Sequence, residues 1–277
     1  MQMWETDDLT EVAKSTFFGE AQLIEHLHGT LHGNLHVPAD AQLDGSRQYP
    51  AVLLLHGFGG TRHECNGLFI KAAASLAMAG FVALRFDFRG AGETGGDTRE
   101  ISIKTQVQDA RDALDHLLNY PFVDKRAAGV LGFSFGGLTA ALLASQREDV
   151  AALALWQPVF DMTATMKRLY GHLSLRAIRA RGYMQAGMMQ LGNPFFDALE
   201  ELDVAKSVEH ITVPVLVLQG VADSVVPVET AYQWKRALQG TEAQIKLIQD
   251  ADHAFSNEKW TWNAIEQTVA FFASTLR

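Results

Sequence analysis

Apolar runs of strand length recur along the chain and alternate with segments of helical period. Ala51–Leu55, Phe81–Phe86, Ala127–Leu131, Val150–Trp156 and Val213–Leu218 are almost continuously hydrophobic, the pattern of strands buried on both faces. A further strand is expected at Gln244–Ile248. Between these runs, Leu68–Ala79, Ile101–Leu118, Gly137–Ala144, Glu229–Leu238 and Trp260–Leu276 read as helices. In Ile101–Leu118, Val107, Ala110, Leu114 and Leu117 share one stripe. Strands alternating with helices predict an α/β fold, with a mostly parallel sheet covered on both sides.

Two stretches break that rhythm. Gln22–Pro38 reads as a hairpin, with Leu23, Ile24, Leu27, Leu31, Leu35 and Val37 interleaved with His26, His28, His32 and His36. The four histidines are expected on the solvent face of an edge hairpin, with apolar partners inside, and no metal site is expected. Pro38–Pro50 is polar and turn-rich, so a loop. From residue 157 to about 208 the chain holds helical pieces rich in Met, Arg and aromatics. That is too long for a simple connection, so it reads as an insert within a single domain of residues 1–277. Its apolar residues would pack on the body and also wall a substrate pocket, a use that suits methionine. Met162, Tyr170 and Met188 are the insert's candidates, joined by His56, Gly57 and Phe133 from the body.

Composition narrows the function classes. A net charge of −9, from 32 acidic and 23 basic residues, argues against a nucleic-acid partner. Cys65 is the only cysteine, which excludes an internal disulfide, and a buried structural thiol is expected there. The stretch Met1–Asp8 is acidic and lacks the apolar core of a secretory signal. No apolar run is long enough to span a bilayer. A cytoplasmic protein without stable membrane insertion is the expectation. Arg168, Arg176, Arg179 and Arg181 alternate with apolar residues, which leaves weak interfacial binding open. A homo-oligomer also stays open.

The chemistry centres on Gly132-Phe133-Ser134-Phe135-Gly136. A buried strand feeds this pentapeptide and a helical pattern leaves it. In that context Gly-x-Ser-x-Gly is a nucleophile elbow: a sharp turn lifts the serine hydroxyl clear of the sheet edge. Asp223 and His253 follow in the chain, each just past an expected strand, so the three side chains should gather at one edge. A serine hydroxyl is a weak nucleophile. It needs a base to take its proton, and the base needs a carboxylate to fix its tautomer. Ser134 is therefore the candidate nucleophile, His253 the general base and acid, and Asp223 the orienting acid. Asp161 is an alternative acid. The backbone N–H groups of Phe58 and Phe135 are the candidate oxyanion donors. The loop His56-Gly57-Phe58-Gly59-Gly60 lacks the Gly-Lys-Ser/Thr of a phosphate loop, and His56 is expected to brace it. Asp87 and Arg89 are expected to brace the next loop as an ion pair. Asp250 and Asp252 read as loop-stabilising neighbours, while His172 and His210 lack a strand-end position.

Leu55–Phe58, Arg85–Gly90, Gly132–Gly137, Asp223–Pro227 and Ala251–Phe255 together resemble the α/β-hydrolase superfamily. The likeness is to its serine carboxylesterase branch, and within that to bacterial cinnamoyl and feruloyl esterases with a helical lid. Phe133 departs from the histidine often found before the nucleophile there. The resemblance implies an eight-stranded sheet, a helical lid after the sixth strand, no cofactor, and hydrolysis of a small-molecule carboxylic ester through an acyl-enzyme. A thioesterase or small-amide hydrolase would use the same three residues. A non-catalytic hydrolase-like binding protein would be expected to have lost one of them.

Overall fold

The computed structural model describes residues 19–26, 29–171 and 174–277. Met1–Asp8, Leu27, His28 and His172 lie outside the described residues. Eight strands form one sheet: β1 (Glu20–His26), β2 (Gly29–His36), β3 (Tyr49–Leu55), β4 (Val82–Phe86), β5 (Val123–Phe133), β6 (Val150–Trp156), β9 (Val215–Gly220) and β10 (Ala243–Ile248). Their order is β1-β2-β4-β3-β5-β6-β9-β10. The six strands from β4 to β10 in that order are parallel, and β2 is antiparallel to both β1 and β4. This is the mostly parallel sheet that the continuous apolar runs imply.

Each run is split between two cores by the two-residue period of a strand. Val52, Leu54, Leu131, Phe133, Ala154, Trp156, Leu216 and Leu218 face α1 (Leu68–Met78) and α9 (Glu258–Thr275), where Phe69 and Phe272 are fully buried. Leu53, Leu55, Val130, Leu153, Leu155, Val215 and Val217 face the opposite layer. That layer is α2 (Ile103–Leu118), α3 (Phe135–Ala144) and α8 (Glu229–Ala237). The expected helix from Ile101 starts at Ile103, because Ser102 and Thr105 form a reciprocal cap: the Ser102 hydroxyl accepts from Thr105 N–H, and Ser102 N–H donates to the Thr105 hydroxyl. Strand β3 begins at Tyr49, inside the expected loop, where Tyr49 N–H donates to the Phe122 carbonyl.

The hairpin differs from its expectation. β2 is an interior strand, paired on both edges, and only β1 is at the edge. Both faces of β2 are covered near its end. His36 is fully buried and accepts a hydrogen bond from Arg85 Nε at 2.9 Å, and His32 is half-buried. Leu23, expected inside, lies on the edge strand and is exposed.

Residues between β6 and β9 form the insert: α4 (Met162–Tyr170), α5 (Leu175–Arg181), β7 (Tyr183–Ala186), β8 (Met189–Gly192), α6 (Asn193–Glu200) and α7 (Val204–Val208). The β7–β8 hairpin was not expected among helical pieces. It docks on the segment after β4. The Thr98 hydroxyl exchanges hydrogen bonds with Gln190 N–H and C=O, both at 3.0 Å. A Cβ on Gly192 would stand 2.2 Å from the Arg99 carbonyl, so only glycine allows this approach. Among the described residues, no helix is long and apolar enough to cross a membrane.

Candidate active site

β5 runs into α3 with Ser134 at the joint, at φ 55° and ψ −117°. A side-chain-bearing residue rarely adopts this conformation, and here the backbone is pinned on both sides. Ser134 N–H donates to the Trp156 carbonyl, and the Ser134 carbonyl accepts from Gly137 and Val159. The glycines allow the crowding. A Cβ at Gly132 would stand 2.3 Å from the Gly136 carbonyl, and one at Gly136 would stand 2.1 Å from the Leu55 carbonyl.

The loops after β9 and β10 bring the partners in. Ser134 Oγ lies 3.0 Å from His253 Nε2. His253 Nδ1 lies 2.7 Å from Asp223 Oδ2. Asp223 Oδ1 accepts from the N–H groups of Val225 and Val226, both at 2.8 Å. These bonds fix the carboxylate of a side chain with no solvent exposure, while the His253 side chain is 19% exposed. Beneath the imidazole lies the Phe133 ring, with centroids 5.1 Å apart. A hydroxyl, an imidazole and a carboxylate in this order can pass a proton from oxygen to nitrogen and hold the resulting imidazolium.

Phe135 follows the serine directly, and Gly57, just before Phe58, packs against it: a Cβ there would stand 3.2 Å from Ser134 Cβ. Neither the Phe58 nor the Phe135 N–H donates to a protein acceptor among the described residues. His56 braces the loop that carries Phe58. Its Nε2 accepts from Phe88 N–H at 3.1 Å, so the ring proton sits on Nδ1 and is donated to the Gly57 carbonyl at 2.9 Å. Burial holds its pKa below the ordinary value, and it stays neutral.

The other expected side chains fall into place or out of it. Asp161 caps α4 by accepting from Ala164 N–H at 2.8 Å, so it is engaged away from His253. Asp252 accepts from Ser256 N–H, and exposed His210 lies beside Glu209. The expected Asp87–Arg89 pair does not form. The chain turns at Phe88–Ala91 and sends Arg89 to Asp109 of α2, while Asp87 pairs with Arg62. Cys65 is exposed in a short turn, not buried. Among the described residues, no cluster of His, Cys, Asp and Glu could hold a metal ion.

A cavity of about 160 Å³ adjoins the site. Its walls include His56, Phe58, Phe88, Ile101, Gln106 and Met189. Phe58 joins it to the serine side, because its ring also packs on Phe135 and Phe195. Of the insert's pocket candidates, Met162 is buried in the core, while Tyr170 and Met188 point to solvent, Met188 at 98% exposure. Its neighbour Met189 takes the place at the cavity.

Sequence reasoning missed Met189, Glu64 and Gln157. Gln157 Nε2 donates to the carbonyls of Asp252 and His253, and its Oε1 accepts from Gly220 N–H and Gln219 Nε2. It ties the histidine loop to the end of β9. The available signal was position: a polar residue directly after a buried strand, where Ser134 also sits.

Comparison with known proteins bears on the fold. Est1E from Butyrivibrio proteoclasticus, in a structure with ferulic acid bound, superposes with a TM-score of 0.81 at 20% identity, covering 92% of this chain and 99% of that one. The Pyrococcus furiosus esterase Pf2001 gives 0.70 at 19% identity, covering 100% and 98%. The fold is therefore that of the α/β-hydrolases. In sequence, the acylamino-acid-releasing enzyme of Arabidopsis thaliana is 25% identical over 86% of this chain and 32% of its own length. An uncharacterised Pseudomonas aeruginosa protein is 28% identical over 58% of this chain and 42% of its own length. The chain thus spans less than half the length of these curated relatives. The sequence profile of the prolyl oligopeptidase family, peptidase S9, matches residues 68–277, a span that holds Ser134, Asp223 and His253, and the chain belongs to that family.

Proposed function

We propose that this chain is a serine hydrolase that cleaves small carboxylic esters through an acyl-enzyme intermediate. The observation that carries the reading is the hydrogen-bonded line from Ser134 Oγ through His253 to Asp223, at 3.0 and 2.7 Å. Ser134 Oγ attacks the ester carbonyl as His253 Nε2 takes its proton. The N–H groups of Phe58 and Phe135 hold the developing oxyanion. His253 then returns the proton to the leaving alcohol, and water repeats the sequence to release the acid. The small, largely apolar cavity beside Phe58 suits a short acyl or aryl group, in line with the ferulic acid bound to Est1E.

A second reading, hydrolysis of small amides, is favoured by family membership and by likeness to an acylamino-acid-releasing enzyme. The same residues serve both, since only the leaving group changes. A matched panel of esters, thioesters and anilides, varied in acyl length and aromaticity, tests both on wild type and Ser134→Ala. Ester kcat/KM should be highest, and Ser134→Ala should lower it by at least about 10³-fold. Anilides turned over as fast as esters would favour the second reading. Full activity in Ser134→Ala would overturn both.

A further inference from the structure

Glu64 belongs to no expected element, yet three independent features place it at the site. Its backbone is strained, with φ 55° and ψ 172°, and is held there by hydrogen bonds from Glu64 N–H to the Thr61 carbonyl and from Gly67 N–H to the Glu64 carbonyl. Strain of this kind persists where the surroundings impose it, often beside a functional site. Its carboxylate accepts a hydrogen bond from the N–H of Gly57. It also fills the curl of the loop, since a Cβ at Gly60 would stand 2.7 Å from Oε1.

Gly57 is the critical contact. It precedes Phe58, and a Cβ there would stand 3.2 Å from Ser134 Cβ and 3.1 Å from the Phe133 ring. Gly57 therefore packs directly against the serine. Its carbonyl, part of the peptide that carries the Phe58 N–H, is held by His56 and by the Gly60 N–H, both donating to it. Its own N–H, on the preceding peptide, is held by Glu64.

We propose that Glu64 is a positioning residue of this site: by holding the Gly57 N–H, its carboxylate fixes the backbone of Gly57, and with it the direction in which the next residue, Phe58, presents its N–H to the oxyanion. This rests on the serine-hydrolase reading above. Few charged or titratable groups surround the carboxyl: His253 across the site and the Cys65 thiol beside it, with Asp252 acting on that thiol. Burial pushes the Glu64 pKa up to about 7, against the opposing pull of the Gly57 and Cys65 N–H groups and of His253. Above that pH the carboxylate is charged and holds the Gly57 N–H by a charge-assisted hydrogen bond. Below it that hold weakens, so the wild-type rate relative to Glu64→Gln should fall toward one as pH drops below about 7.

The test is the second-order rate at which a fluorophosphonate labels Ser134, from pH 5 to 9, in wild type, Glu64→Gln and Glu64→Ala. This rate depends on the nucleophile and oxyanion donors without needing the natural substrate. Thermal midpoints run in parallel report folding. Glu64→Gln keeps an acceptor for Gly57 but no charge. It should stay within about threefold of wild type at pH 8.5 and show a shallower fall in rate toward acid pH than wild type. Glu64→Ala removes both and should label at least about tenfold more slowly, short of the 10²–10³ seen when an oxyanion donor is deleted. An unchanged acid limb in Glu64→Gln, or a Glu64→Ala rate within twofold of wild type, overturns the proposal while leaving the serine-hydrolase reading intact. A wild type that does not label overturns both.

Discussion

Replacing Asp223 with asparagine keeps the shape of the side chain and changes what it can offer. Asp223 Oδ1 is committed to two N–H donors, Val225 and Val226, at 2.8 Å each. An asparagine must keep its carbonyl oxygen there, because turning the amide round would set two donors against two donors. Its NH₂ is then forced into the place of Oδ2, 2.7 Å from His253 Nδ1. That nitrogen can no longer donate, so the ring proton moves to Nε2, which then cannot accept the proton of Ser134. Loss of the right tautomer costs about 10⁴-fold in kcat, or about 5 kcal/mol of transition-state stabilisation. The assay is steady-state hydrolysis of the best ester at pH 7.5, with circular dichroism to show that the fold is retained. A loss below tenfold in a folded Asp223→Asn variant would refute the reasoning.

Other expectations follow from the same contacts. Gly136→Ala drives a Cβ to within 2.1 Å of the Leu55 carbonyl and should lower stability by about 1–3 kcal/mol in urea denaturation. Asp109→Ala leaves Arg89, whose side chain is 17% exposed, without its partner, and should cost about 3 kcal/mol in the same measurement. Met189→Ala should change KM for bulky acyl esters severalfold, while Met188→Ala, at a fully exposed site, should leave it unchanged. The Glu64 carboxyl is raised from 4.5 to about 7 in the folded chain, so between those values the folded state holds a proton that the unfolded state has lost. Stability should fall as pH rises through that window. Glu64→Gln should remove the fall and be more stable than wild type at pH 8 by up to about 3 kcal/mol, read by denaturation at pH 5 and pH 8.

The parts of the molecule governed by burial were legible in the sequence. A strand covered on both faces must be apolar along its length, and Val150–Trp156 appears with the expected bounds. The gathering of Ser134, Asp223 and His253 followed from topology, because every parallel strand delivers its last residue to the same edge. The insert was harder. β7 and β8 are four residues each, too short for a period to show among methionines and glutamines. A one-residue step reverses the face of a strand, which separates Met189 at the cavity from Met188 in solvent.

Polar positions were misread for a different reason. Asp87 and Arg89 stand two apart and would share a side of an extended chain, but the turn at Phe88–Ala91 parts them. His36 looked like a surface residue because the hairpin was taken for an edge, whereas β4 pairs with β2 and closes over it. Glu64 lies seven residues after Gly57 in a polar loop. Only the tertiary fold, through a strained backbone and one hydrogen bond, sets it against the site.

The most direct measurement is a structure of the protein after reaction with a phosphonate ester. The account predicts one covalent bond, between phosphorus and Ser134 Oγ, with the phosphoryl oxygen about 3 Å from both Phe58 N and Phe135 N. Phosphorus on any other residue, or a phosphoryl oxygen turned away from both N–H groups, would contradict it.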